Sequence, residues 1–203
     1  MVREQIIKKA YQCIDEVYPD SNSQDITAFN IDTFLDQAAK IIIKVVPTRA
    51  LGAGIDIKAH EDFEVDVIDG VGFVTLPPHF QRLVAFQASD WKLPVTTALY
   101  SDSPQYLQQS NEILRGTPYR PIVFILNGGE NLEFYTSKAS HLSYIDYIKV
   151  FRGIILDIVD DTYPEGLVDI TAWETAELTL SAMNDVQAAQ ICQTKVQEIL
   201  GTL

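Results

Sequence analysis

Histidine is scarce in this chain: His60, His79 and His141 are the only three in 203 residues. None has a second His or a Cys at metal-ligand spacing, so a zinc site of the usual kind is excluded, because zinc takes its ligands as spaced Cys and His sets. Cysteine is scarcer still. Cys13 and Cys192 stand near opposite ends, each within a helical pattern. That context suits small buried apolar residues better than half of a disulfide or a metal ligand. They meet only if the terminal helices pack together. Basic residues are also few, 15 against 28 acidic, for a formal net charge of −13. Nucleic-acid phosphates demand clustered Lys and Arg. The densest basic group here, Arg3, Lys8 and Lys9, is interrupted by Glu4. Apolar runs such as Ile41–Ile43 are far too short to span a membrane. The opening MVREQIIKKAYQCIDEVYP alternates charged and apolar residues too often for a signal peptide. These absences predict a soluble protein made in a reducing cytoplasm.

What is present is an ordinary globular composition, 47% hydrophobic and 21% charged, at a length that buries a sizeable core. The chain begins helical. Ile6, Ile7, Ala10, Ile14 and Val17 recur at helical spacing and predict a helix from about Arg3 to Val17. After a Pro19-Asp-Ser-Asn-Ser turn, Ile31, Phe34, Leu35, Ala38, Ile42, Val45 and Val46 form a second stripe, which Pro47 ends. Asp25 and Asn30 are candidate N-caps for that second helix. At the other end, Leu167–Met183 and Val186–Leu200 are rich in good helix formers. Asn184-Asp185 separates them, with either residue a candidate cap and one kinked helix as the alternative.

Between these ends the period changes to two. Phe63, Val65 and Val67 alternate with acidic residues, Asp69-Gly70 makes a turn, and Gly72–Leu76 returns as the partner strand. Pro77-Pro78 then stops the ladder, because proline lacks an amide proton. Arg82–Gln87 resumes it, and Phe73, Leu76, Phe80, Leu83 and Phe86 are the expected core anchors. Pro121–Leu126 and Leu132–Thr136 flank Asn127-Gly-Gly-Glu-Asn, a clear hairpin signal, and Tyr144–Phe151 reads as a further strand. The segments from Pro47 to His60 and from Ser101 to Pro121 read as long loops, the second with a helical turn or two. The layout is α+β. Terminal helices form a bundle and a mostly antiparallel sheet lies between them, with boundaries at 1–60, 61–160 and 161–203 in one structural unit.

The search for chemistry ends without a catalytic set. Ser140 and His141 are neighbours, but adjacent residues of a strand face opposite ways. No Gly-x-Ser-x-Gly elbow occurs. Leu51-Gly-Ala-Gly lacks the Lys-Ser/Thr of a phosphate loop and follows a helix rather than a strand. Asp157, Asp160 and Asp161 offer oxygen ligands without the loop pattern of a calcium hand, and Tyr144 and Tyr147 offer stacking surfaces without a basic groove. No catalytic, cofactor-binding or metal-ligating residue is assigned.

Three features together carry a resemblance. They are the helix pair ending near Pro47, the run Phe73-Val-Thr-Leu-Pro-Pro-His-Phe-Gln-Arg-Leu-Val-Ala-Phe with Trp91-Lys-Leu-Pro-Val, and the closing hairpin through Ala182-Met-Asn-Asp-Val-Gln-Ala-Ala. In these the chain resembles the head–tail connector, or adaptor, proteins of tailed bacteriophages, in particular the ring and tail-tubular proteins of short-tailed, crAss-like phages. The resemblance implies a virion structural protein and no enzyme. It implies a homo-oligomeric ring of about a dozen copies, closed by a heterologous interface, at the portal or upper tail. The implied partners are other copies, the portal protein and other connector or tail proteins. Sequence-specific nucleic-acid binding, membranes and cofactors are not among them. Acidic channel walls that keep DNA from sticking are implied too, and the charge of −13 fits them. On this reading one or both of the long loops order only upon assembly. Two other classes stay open: a small acidic metal-dependent enzyme built on Asp157, Asp160 and Asp161, and a cytoplasmic interaction module dimerising through its terminal helices.

Overall fold

The structure is a computed structural model and describes residues 2–17, 31–51, 65–126, 128–138, 148–156 and 163–203. In chain order it opens with helices α1 (Val2–Val17) and α2 (Ile31–Val45). Strands β1 (Val65–Ile68), β2 (Val71–Thr75), β3 (Phe80–Gln87) and β4 (Leu99–Tyr100) follow, then the one-turn helix α3 (Pro104–Leu107). Strands β5 (Val123–Ile125), β6 (Asn131–Tyr135) and β7 (Val150–Ile155) come next, and helices α4 (Val168–Ala182) and α5 (Val186–Leu200) close the chain. The fold is α+β. Two compact units divide it, one from the two ends (Met1–Ile55 with Leu156–Leu203) and one from the middle (Asp56–Ile155).

In the helical unit α4 is the hub, packing against α1, α2 and α5. Its buried residues (Val168, Ile170, Thr171, Ala172, Thr175, Ala176, Thr179 and Leu180) gather mostly on one broad face, while Asp169, Glu174, Glu177 and Ser181 stand half-buried or exposed on the other. Thr171, Thr175 and Thr179 lie four apart and are fully buried. Their hydroxyls do not go unpaired: Thr175 donates to the Thr171 carbonyl and Thr179 to the Thr175 carbonyl, both at 2.7 Å. The Tyr163 hydroxyl meets that of Thr171 at 2.5 Å. A buried hydroxyl without a partner costs about 1–3 kcal/mol, so this chain of bonds is what lets threonine stand in a core.

The outer helices are amphipathic. Ile6, Ala10, Cys13 and Ile14 face inward from α1, and Leu35, Ala38, Ala39, Ile42 and Ile43 from α2. Arg3 pairs with Asp32 at 3.3 Å and Asp36 at 3.0 Å, and Lys9 pairs with Asp169. These exposed pairs set register more than stability. The α4–α5 junction is a true break. Asn184 takes a positive φ of 62°, and Asp185 caps α5 by accepting from the Ala188 amide at 3.0 Å. Cys13 and Cys192 are both buried and free. Packing of the end helices brings them close enough for Cys192 to add to the burial that pushes the Cys13 thiol up to about 12.

The middle unit contains two sheets. One has five strands in the order β1-β2-β6-β5-β4, antiparallel except for the β4–β5 pair; the other pairs β3 with β7. Asp69 and Gly70, both at positive φ, turn β1 into β2. At Pro77-Pro78 the chain leaves the first sheet for the second, turning through His79 at φ 62°. Register puts Val74, Leu132, Phe134, Val123 and Ile125 on one face of the large sheet. They share a core with Leu83, Phe86 and Phe151 of the small sheet and with Trp91. Phe86 is the centre, its ring 4.9 Å from Phe134, 5.6 Å from Trp91 and 5.9 Å from Phe151.

Two expectations are corrected here. Phe73 is not a core anchor, because period two places it opposite Val74, paired with Glu133 on the other face. The last strand is Val150–Ile155 rather than Tyr144–Phe151, of which residues 144–147 lie outside the described residues. Strand β7 runs through Gly153, which faces the Phe80 ring; a Cβ there would stand 2.4 Å from that ring. Phe63, Asp25, Asn30 and the Pro47–His60 loop beyond Leu51 also lie outside the described residues.

Candidate functional site

His60, His141, Asp157, Asp160, Asp161, Tyr144 and Tyr147 all lie outside the described residues. His79 is exposed on its turn. Leu51 is a fully buried core residue. Among the described residues no three acidic, His or Cys side chains group as a metal site.

A different constellation stands on the second face of the large sheet. Strand register gathers Val71, Phe73, Glu133, Tyr135 and Phe124 there. The segment from Ser101 to Arg120 folds over part of this face, with Tyr106 of α3 edge-on to Phe124 at 5.1 Å. Glu133 is consequently only 6% exposed. Its Oε2 accepts from the Tyr106 hydroxyl at 3.1 Å, and its Oε1 accepts from the Tyr135 hydroxyl. Burial, reinforced by Glu133, raises both phenols above their ordinary value of 10.0. They therefore stay protonated at neutral pH and donate to Glu133. Arg115 lies over the Tyr135 ring at 5.1 Å and donates to the Asp69 carbonyl at 3.2 Å. A cavity of about 360 Å³ opens beside this group, lined by Val71, Tyr106, Leu107, Arg115, Glu133 and Tyr135 among others.

The covering segment is held by its own bonds. The Gly116 amide donates to Gln109 Oε1 at 2.8 Å, and Arg120 Nη2 donates to the Ile113 carbonyl at 2.8 Å. In the structure the segment is built onto the sheet within one chain. What it leaves outside is apolar. Leu93, Tyr100, Leu107, Ile113, Leu114 and Tyr119 are all exposed, Ile113 at 81% and Tyr119 at 80%. Lys92 reaches over the Tyr119 ring at 5.3 Å. Single exposed apolar residues are ordinary, but this many along one segment suit a surface that is covered in use.

The helical unit has a smaller cavity of about 130 Å³ between α2, α4 and α5, with Val45, Val196 and Leu200 beside Glu174 and Glu177. Burial first, and Glu177 second, raise the Glu174 carboxyl. No helix among the described residues is long and apolar enough to cross a membrane.

Sequence reasoning missed Glu133, Tyr106 and Tyr135. Alternation alone puts Glu133 opposite Leu132 and Phe134, hence in water. The available signal was the run Leu132-Glu-Phe-Tyr, where an acidic residue precedes two aromatics on a strand that would need both faces covered.

Comparison with protein-family models matches residues 8–203 to the family described as SU10 adaptor protein. No curated protein matches the chain.

Proposed function

This chain belongs to the SU10 adaptor protein family, a family of phage structural adaptors, and from that premise we propose that it assembles as a homo-oligomeric ring in the tailed-phage particle. The ring sits at the portal, or head–tail junction, or in the upper tail, and forms part of the DNA conduit. A short-tailed particle of the crAss-like kind is the setting proposed, on the strength of the Leu76-Pro-Pro-His-Phe-Gln-Arg-Leu run and its flanking helices. Partners are further copies of the chain, the portal protein and neighbouring connector or tail proteins. The role is structural rather than enzymatic. Neither a membrane nor a specific DNA sequence takes part.

The observation that carries this reading is the apolar display of residues 93–119 over a unit whose own core is already closed. A ring requires two different patches on each subunit, meeting by rotation. Interface centres are poor in charge and rich in aliphatic and aromatic side chains. The formal charge of −13 supports a conduit that DNA passes without adhering, since like charges repel across a narrow channel.

The test is a triple substitution, Leu107→Asp, Ile113→Asp and Tyr119→Asp. These positions are exposed, so the subunit should fold and melt as the parent does while losing assembly. A triple variant that still assembles fully with the portal protein would remove the segment from the interface.

A further inference from the structure

The cavity over the second face of the large sheet contains a charge that the fold does not balance by a direct ion pair. Glu133 is 6% exposed, yet among the described residues no Lys or Arg lies within salt-bridge distance of it. A carboxylate has about four acceptor sites. The two tyrosine hydroxyls occupy one on each oxygen. Arg115, the other charged group lining the cavity, donates from Nη2 to the Asp69 carbonyl and lies over the Tyr135 ring. Its positive charge offsets part of the long-range field, so recognition here depends on contact rather than steering.

The walls suit one kind of visitor. The half-buried phenol ring of Tyr106 gives the wall an aromatic surface to which a cation is drawn. At the rim, Leu107 is 78% exposed and Val71 is half-buried, an apolar lip for a methylene stem. Lys and Arg combine such a stem with a charged head. An anion would meet the carboxylate. A wholly apolar group would cover Glu133 without satisfying it, and a lone carboxylate is a poor metal site.

We propose that this cavity receives a lysine or arginine side chain from an adjacent protein chain, its cation on Glu133 and its stem against Leu107. The identity of the donor rests on the assembly reading given above; the chemistry of the pocket does not. Such a contact would add a charge-assisted hydrogen bond at a preformed site. It would anchor the apolar surface around it as a buried basic residue anchors an interface.

The free full-length chain is titrated with n-butylammonium and propylguanidinium, with butyrate as the control, and the tyrosine ring resonances are followed by NMR. Saturable shifts at Tyr106 and Tyr135 are expected with either cation and not with butyrate. Glu133→Gln keeps the shape and removes the charge, and should weaken cation binding about tenfold or more. Should that variant fail to fold, Leu107→Lys decides instead. It lies at an exposed position, places a competing cation at the rim, and should weaken binding severalfold. The pocket is overturned by no saturable response to the cations, by butyrate binding as well, or by unchanged affinity in the folded variant used. Because the titration uses the free chain, its failure rejects the pocket and leaves assembly standing, whereas failure of assembly is read separately from particle mass.

Discussion

Single residues show where physical rules act locally and where they do not. Cys13 and Cys192 were legible as buried apolar residues, because each sits on the inward stripe of its own helix. The consequence of their burial is a pH response. Each thiol rises from an ordinary 9.0 to about 12, burial being the main cause in both, and Tyr163 rises from 10.0 to about 12 through burial. Above pH 9 the unfolded chain therefore releases protons that the native chain retains. Stability falls wherever the native state binds more protons than the unfolded one. The contribution is fully present below pH 9 and is lost progressively up to about pH 12. Urea midpoints measured from neutral pH upward should decline across that window, and less steeply in a Cys13→Ala, Cys192→Ala double variant. Equal slopes would mean the thiols do not titrate in this way. Glu133 was not legible, since nothing in its own strand announces that a segment some 20–30 residues earlier folds over it.

At the scale of elements, helices were read closely and strands less so. The stripes of α1 and α2, and the break before α5, depend on neighbours within a turn, so the sequence carries them directly. The buried face of α4 answers to its three packing partners and includes threonines, so the sequence shows little hydrophobic contrast there. Strand β7 was displaced by several residues because its bounds answer to β3, some seventy residues away, and to the ring of Phe80. Gly72 shows the same dependence on a distant ring. A Cβ there would stand 2.2 Å from the Phe134 ring, which is fully buried and has no room to move. Gly72→Ala should therefore destabilise the sheet unit by about 1–3 kcal/mol, the usual range for overpacking. A chemical-denaturation curve checks it, and an unchanged midpoint would show that the core yields more easily than its packing implies.

For the whole molecule, α+β order was readable because the hydrophobic period changes from helical to two and back again along the chain. The corner at Pro77-Pro78 joins two sheets, a division that proline chemistry suggests but cannot assign to partners. Membership in the SU10 adaptor protein family gives these units a setting in a phage particle. The acidic surface and the apolar segment 93–119 are the features that a ring around DNA would use, one toward the channel and one toward its neighbours. The most direct measurement of that account is the particle mass of the purified chain mixed with its portal protein, by mass photometry or negative-stain microscopy. A closed ring of many copies on the portal is the predicted result; monomers or dimers alone, at concentrations where the portal is intact, would contradict it.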